Sequence, residues 1–158
     1  MKKQKMLAVL MAAVIMIASM PGLTVWGDTI GKEAQACKDL KILIGADASG
    51  VTSQYLSTTP TRIQAFIIVL RLKGLYNDAS DFEGEKNFKD ADTVGWAKNY
   101  MAYAKSNPSL GWGGYPDGTF APANKIDGRA FYKVMLETLG YKQDKDFTYA
   151  ETLDFAEE

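Results

Sequence analysis

The stretch Gly114-Tyr115-Pro116-Asp117-Gly118-Thr119-Phe120-Ala121-Pro122 is followed closely by a helix start at Ile126-Asp127. Its first part, Tyr115–Gly118, has proline at the second position and glycine at the fourth, which is typical of a type I turn. The next segment, Arg129 to Leu139, is predicted to form a helix that stops at Gly140, because glycine suits the left-handed conformation that ends helices. A turn, a capped start and a closed helix in this order predict the second half of a helical repeat unit.

An earlier part of the chain has a similar order of predicted elements. It contains an apolar-periodic stretch, a loop and a strongly apolar helix that closes at Gly74, and a further copy begins at Asp146-Phe147. Similar units in a fixed order are the sequence signature of a repeat architecture. The sequence therefore predicts an all-α fold, a helical repeat bundle with long loops and an incomplete third repeat. The predicted helices are Ala34–Ile44, Ile63–Leu72, Trp96–Ala104, Arg129–Leu139 and Thr148–Ala156.

The helix Ile63–Leu72 has the clearest local signals. It is preceded by Thr61-Arg62-Ile63-Gln64, which favours a capping box in which the threonine hydroxyl and the glutamine side chain each bind the other residue's backbone amide. Its residues are nearly all apolar, so we expect this helix at the centre of the bundle.

The N-terminal segment is predicted to be a signal peptide over residues 1–27. Three lysines precede an apolar run of about 15 residues, which is shorter than the ~20 residues of a spanning helix, and Gly27 favours cleavage before Asp28. The alternative is an uncleaved signal anchor. With cleavage, no stable membrane insertion is expected.

Composition excludes several classes of function. Cleavage of the predicted signal peptide would remove three lysines and change the net charge from −1 to −4. A negative net charge argues against nucleic acid as a partner. The chain has no histidine, so Ser-His and Cys-His catalysis and histidine-ligated metals are excluded, and the lone Cys37 is predicted to be a buried apolar residue. The carboxylate pairs Asp90/Asp92 and Asp144/Asp146 lack the pattern of a calcium loop and are better explained by helix capping and solubility. We expect no catalytic residue, no metal and no cofactor.

The turn and the two helix starts together resemble the S-layer homology (SLH) family. Its signature helix start has the form Ile-Thr-Arg-Ala-Glu, which Pro60-Thr61-Arg62-Ile63-Gln64 matches in its threonine and arginine. In Ile126-Asp127-Gly128-Arg129-Ala130, glycine occupies the arginine position and Arg129 is displaced by one residue. One step turns a helical side chain by about 100°, so a ligand contact by Arg129 is in doubt.

The resemblance implies a non-covalent binding module and not an enzyme. SLH modules hold exported proteins on the bacterial cell wall by binding a secondary cell-wall polymer on peptidoglycan, a glycan that often carries pyruvate ketals with anionic carboxylates. An arginine at a helix start, with the free amides of that start, would pair with such a carboxylate. The implied ligand-binding residues are Thr61, Arg62, Trp112, Gly114, Tyr115, Asp117, Gly118 and Arg129.

Alternatives remain for individual side chains, and Arg62 itself could equally be a solvated residue of the first helical turn. Arg129 is more readily explained as solvent-facing, Asp117 as shaping its turn, and Trp96 as packing in the core, although Trp96 is also a candidate for stacking on a sugar. For Trp112 and Tyr115, in the glycine-rich loop, ligand stacking and a structural role are equally good interpretations.

The implied organisation is a signal peptide at 1–27, a first repeat at 28–80, a second at 81–143 and the start of a truncated third at 144–158. The implied location is outside the cell, at the wall or S-layer. Two alternatives remain open: the chain is the targeting part of a longer secreted, polysaccharide-acting enzyme, or its degenerate repeats form a scaffold for protein–protein assembly. An incomplete third repeat would also leave apolar surface uncovered and favour self-association.

Overall fold

The computed structural model describes residues 30–157, so the predicted signal peptide lies outside the described residues. Within this range the chain is helical and has no β-strand, which confirms the all-α class. The elements are α1 Lys32–Asp39, α2 Ser53–Leu56, α3 Arg62–Leu72, α4 Tyr76–Ser80, a 3-10 helix Ala91–Ala97, α5 Lys98–Ser106, a 3-10 helix Pro108–Leu110, α6 Gly128–Thr138 and α7 Thr152–Glu157. None of these helices combines the length and the apolar character that crossing a bilayer requires.

The described residues divide into two compact units. One contains 30–59 together with 154–157, and the other is Pro60–Leu153. These limits differ from the predicted repeat boundaries, because the division falls between the two helices that were assigned to the first repeat. The second unit contains all the residues that the sequence predicts to bind a ligand.

Helix α1 is shorter than predicted. The chain leaves the helix after Asp39, and Lys41 adopts a left-handed conformation with φ of 56°. The amide of Lys41 donates to Lys38 O at 2.9 Å and that of Ile42 to Cys37 O at 2.9 Å, the paired bonds of a Schellman motif. The predicted continuation of the helix to Ile44 is therefore wrong.

The two predicted glycine caps are confirmed. Gly74 and Gly140 have φ of 70° and 101° and follow the ends of α3 and α6. Their helices end with the same pair of Schellman bonds as α1, including Leu75 N–H to Leu70 O at 2.8 Å.

Lys41 is the position where this shared cap lacks glycine, so its replacement should be stabilising. A residue with a side chain costs roughly 1–2 kcal/mol in the left-handed region, and glycine removes this cost. Part of the gain is offset because glycine is more flexible in the unfolded chain. We expect Lys41→Gly to raise the free energy of unfolding by about 0.5 kcal/mol in urea denaturation. The matched control, Lys38→Gly, lies inside α1 and should lower it by about 1 kcal/mol.

Helix α3 is buried along most of its length, as its apolar sequence predicts. The capping box is present: the amide of Thr61 donates to Gln64 Oε1 at 2.8 Å, and the amide of Gln64 donates to Thr61 Oγ1 at 3.4 Å. Phe66, on the buried side, contacts the rings of Trp112 and Phe120, with centroids 5.1 and 6.0 Å away. The residues of α3 that are buried are Ile63, Ala65, Phe66, Ile67, Ile68, Val69 and Leu70.

The predicted helix Trp96–Ala104 begins differently in the structure. The 3-10 helix Ala91–Ala97 contains a kink at Val94, and the α-helix starts only at Lys98. Trp96 is 63% exposed, so the prediction that it packs in the core is wrong. It lies before the helix and so is not held on the buried face of α5.

The last two predicted helices are both present with shifted limits. Helix α6 occupies Gly128–Thr138, and Asp127 caps it by accepting the amide of Ala130 at 2.8 Å. Helix α7 is shorter than predicted because residues 149–151 form turns before it. The SLH-type arrangement of these helices stays a prediction.

Candidate functional site

Two helix starts that are far apart in sequence lie side by side in the second unit. Thr61 and Lys125 form an isolated antiparallel bridge. On either side of it, the amide of Arg62 donates to Asn124 O at 2.7 Å and the amide of Ile126 donates to Pro60 O at 3.1 Å. The segment that leads into α6 therefore fixes the segment that leads into α3.

This pairing leaves no free amides at the start of α3. Beyond the bonded amide of Arg62, that of Ile63 donates to Pro122 O at 3.2 Å and that of Gln64 to Thr61 Oγ1 at 3.4 Å. The expectation that this helix start offers free amide donors to an anion is therefore wrong. Any attraction of this helix start for an anion must come from side chains, and Arg62 carries a positive charge there.

The guanidinium of Arg62 lies among three aromatic rings. Its carbon is 4.9 Å from the centroid of the Tyr115 ring, 5.2 Å from that of Trp112 and 5.2 Å from that of Phe120. We call these three rings and Arg62 the Arg62 cage. Trp112 and Phe120 are fully buried, whereas Tyr115 is 47% exposed and forms the outer wall. Contacts between a guanidinium and ring faces are attractive, and more so when water is excluded.

No carboxylate neutralises Arg62 among residues 30–157. The salt bridges in that range join Lys98 to Asp92 and Lys133 to Glu137, and Arg62 Nε is buried without a hydrogen-bond partner. Burial lowers the pKa of the Arg62 guanidinium, and the neighbouring Tyr115 opposes this shift. An arginine nevertheless stays charged at neutral pH. The cage therefore holds a partly buried positive charge that has no carboxylate partner in the part of the chain that the structure describes.

The turn that carries Tyr115 is closed by its own hydrogen bonds. The amide of Gly118 donates to Tyr115 O at 2.9 Å, and the Thr119 amide and hydroxyl donate to Asp117 Oδ1 at 2.9 and 2.7 Å. The bonds from Thr119 lower the pKa of Asp117. Asp117 thus shapes its turn, as the alternative interpretation predicted.

Gly114 is required by the packing of this turn. It has φ of 82°, and a Cβ there would come within 2.4 Å of the Phe88 ring and 2.5 Å of Thr119 O. Its contribution to the candidate site is therefore structural. Gly118, with φ of 88°, lies against the side chain of Lys89, whose ammonium donates to Asp117 O at 2.7 Å.

Asp90 also holds the cage together, and the sequence did not predict this role. Its two carboxylate oxygens accept the backbone amides of Phe120 and Ala121 at 2.8 and 2.7 Å. These bonds fix Phe120 beside Arg62 and hold Ala121 at φ of 56°, a conformation that alanine rarely adopts. No local sequence signal joins groups that are 30 and 31 positions apart.

Asp90→Asn should therefore destabilise the protein. Asparagine keeps one acceptor but turns an N–H towards the other backbone amide, so one charge-assisted bond is lost and the other weakens. We expect a loss of about 2 kcal/mol in the free energy of unfolding.

Asp92→Asn is the matched control for Asp90→Asn. Asp92 forms an exposed ion pair with Lys98 and should change stability by no more than about 0.5 kcal/mol. Equal effects of the two substitutions in urea denaturation would contradict the structural role of Asp90.

Of the two remaining predicted site residues, Trp112 belongs to the cage but is enclosed by it, and Arg129 lies outside it. Trp112 has no exposed surface, so it offers no ring face to a sugar, and its partners are Arg62, Phe66 and Phe120. Arg129 is exposed and lies 5.8 Å from the centroid of the Tyr149 ring, as its solvent-facing interpretation predicts.

The first unit contains a surface cavity of about 380 Å³. No basic side chain lines it, so it is not suited to an anion. The residues that line the cavity are Ala46, Asp47, Ser49, Gly50, Thr52, Gln54, Tyr55 and Thr58.

Among residues 30–157, no group of three or more acidic or cysteine side chains could hold a metal ion.

Comparison of the chain with protein-family models, with curated proteins and with solved structures found no match.

Proposed function

We propose that this chain binds an anionic secondary cell-wall polymer and so retains an exported protein on the bacterial wall. The observation that supports this most directly is the charge of Arg62, which is partly buried and has no carboxylate partner among the described residues. Burying a charge without a counter-ion is costly, and a charged group whose pKa is perturbed by burial is a candidate for a functional site.

The proposed ligand is the pyruvylated glycan that the SLH resemblance implies. Its carboxylates would pair with the guanidinium, and the exposed Tyr115 ring would contact the adjoining sugar. The overall negative charge of the chain repels polyanions, so the affinity depends on this single local group. Retention of this kind is binding without turnover, and the protein is proposed not to be an enzyme.

A scaffold for protein–protein assembly is the second candidate. Leu40 is 66% exposed and Ile44 is 53% exposed, and both lie just after the end of α1. Large exposed apolar side chains favour association with another protein surface, including a second copy of the chain.

Sedimentation with purified cell walls separates the two candidates. The chain is mixed with sacculi that carry the secondary polymer and with sacculi from which the polymer has been removed. We expect it to sediment with intact walls and to stay in solution with stripped walls. Equal sedimentation with both would reject the glycan. No sedimentation with either, together with concentration-dependent self-association, would favour the scaffold.

A further inference from the structure

The surface cavity of the first unit has no part in the proposed function. Its volume of about 380 Å³ is near the lower end of the roughly 300–1,000 Å³ that small-molecule sites occupy. Residues of the loop 46–50 form one wall, and residues of the segment 52–58, which contains α2, form the other. The cavity therefore has room for a ligand of one or two small rings.

The wall formed by the loop is held in place by its own backbone. Gly45 and Gly50 have φ of 84° and 70°, and a Cβ on Gly45 would collide with the backbone of Gly50. The amide of Gly50 donates to Asp47 O at 3.0 Å, and the amide of Ser49 donates to Asp47 Oδ1 at 2.8 Å. Because this wall is fixed before a ligand arrives, little ordering is left to oppose binding.

The opposite wall is fixed on both sides of Tyr55. Thr52 caps α2 by accepting the amide of Tyr55 at 3.0 Å, and the hydroxyl of Thr58 donates to Tyr55 O at 2.7 Å. The side chain of Tyr55 is half-buried. An aromatic residue is thus held at the cavity by a backbone that hydrogen bonds constrain.

The chemistry of the lining narrows the class of ligand. Six of the eight lining residues carry a hydroxyl, an amide or a carboxylate, which disfavours an apolar ligand. None of the eight is basic and Asp47 is acidic, which disfavours an anion. A neutral ligand that carries several hydroxyls fits this lining.

We propose that this cavity binds a neutral sugar unit. Sugar hydroxyls both donate and accept hydrogen bonds, as do the hydroxyl and amide groups of the lining, whereas the carboxylate of Asp47 accepts only. The ring of Tyr55 supplies an aromatic surface for the apolar face of the sugar ring. This site does not depend on the Arg62 cage, which belongs to the other unit.

Nuclear magnetic resonance of the full chain tests the site. The probes are glucose, galactose, mannose and N-acetylglucosamine. We expect at least one of them to shift the amide resonances of residues 46–58 with a dissociation constant on the order of 1 mM, as for a small ligand held by a few hydrogen bonds. No shift with any of the four, at about 50 times that concentration, would overturn the proposal.

A charged form of the same sugar tests the selectivity of the site. The uronate of a sugar that binds carries a carboxylate on the same ring. It should bind at least about tenfold more weakly, because it meets Asp47 and no basic side chain. Equal affinity for the sugar and its uronate would contradict a site for neutral sugars.

A cavity-filling substitution supplies a second readout. Ala46 lines the cavity and is exposed, so Ala46→Phe should occupy part of the space without disturbing the core and should weaken sugar binding at least about tenfold. Ala48→Phe is the matched control, since Ala48 is exposed in the same loop but does not line the cavity. Equal binding by the two variants would contradict the assignment.

A milder variant keeps the shape of the cavity. Gln54→Ala removes one amide from the lining at an exposed position of α2 and should weaken sugar binding about fivefold, the loss expected for one hydrogen bond. Unchanged affinity in this variant and in Ala46→Phe would place the sugar elsewhere on the chain.

The variant Arg62→Met separates this site from the proposed function. Arg62 does not line the cavity, so the variant should bind the sugar as the unmodified chain does. Sugar binding that is lost in Arg62→Met would move the site to the cage and overturn the assignment to the cavity. Sugar binding by a chain that does not sediment with intact walls would support the cavity and reject the proposed function.

Discussion

Arg62→Met is expected to lower the affinity of the chain for the wall polymer by about 100-fold, the effect of losing roughly 3 kcal/mol of charge-assisted hydrogen bonding. The amide of Arg62 pairs with Asn124 O through the backbone, so the substitution leaves that bond in place. Methionine fills a similar space among the rings, but it offers neither a charge nor a donor. Sedimentation with intact sacculi over a range of protein concentrations measures the change.

The same substitution should have little effect on stability. Contacts with the three cage rings stabilise the guanidinium by about 0.5–1 kcal/mol each. Partial burial of a charge with an unsatisfied Nε–H costs a similar amount in the opposite direction. We therefore expect the free energy of unfolding of Arg62→Met to stay within about 1 kcal/mol of the unmodified value.

Arg129→Met is the control for the binding experiment. Arg129 is exposed beside Tyr149, outside the cage, and its loss should leave wall retention unchanged. If both variants sediment as the unmodified chain does, Arg62 does not carry the binding. If both lose retention equally, general positive charge and not the cage is responsible.

Trp112→Ala is expected to produce the largest loss of stability, about 3–5 kcal/mol. The indole has no exposed surface and contacts Phe66, Phe120 and the guanidinium of Arg62, so its removal leaves a cavity at the centre of the second unit. At about 3 °C for each kcal/mol in a chain of this size, the melting temperature should fall by roughly 10–15 °C.

Trp96→Ala provides a comparison within the same residue type. Trp96 is 63% exposed and makes an edge contact with Tyr100, with ring centroids 6.5 Å apart. Its removal should cost less than about 1 kcal/mol. Similar melting temperatures for the two variants would contradict the placement of Trp112 in the core.

What the sequence predicted correctly was decided by neighbours along the chain. The capping box at Thr61 and Gln64 and the glycine caps at positions 74 and 140 involve residues within one or two helical turns of each other. The hydrogen bonds of the turn at residues 115–119 also join near neighbours in the chain, so the proline and glycine positions were enough to predict the turn. Helix α1 ended early because a cap formed at Lys41, where a lysine gives no such signal.

What the sequence could not predict depends on distant partners. From the sequence, Asp90 was interpreted as a capping or surface carboxylate. Its actual partners, the amides of Phe120 and Ala121, become apparent only in the folded structure. Trp96 was assigned to the core from its place on a predicted helix, and it is exposed. For Trp112, in a glycine-rich loop, the sequence left ligand stacking and a structural role equally open, and the residue is fully buried. The amides at the start of α3 were expected to be free because the segment that occupies them lies about 60 residues later.

The antiparallel bridge between Thr61 and Lys125 has a consequence for dissecting the protein. A fragment that stops at residue 80 would keep Arg62 but would lack the paired segment and all three rings of the cage. Grafting that fragment onto a carrier would therefore transfer the arginine without the surroundings that desolvate it. A fragment that keeps the cage must contain both paired helix starts, and the compact unit that contains them is Pro60–Leu153.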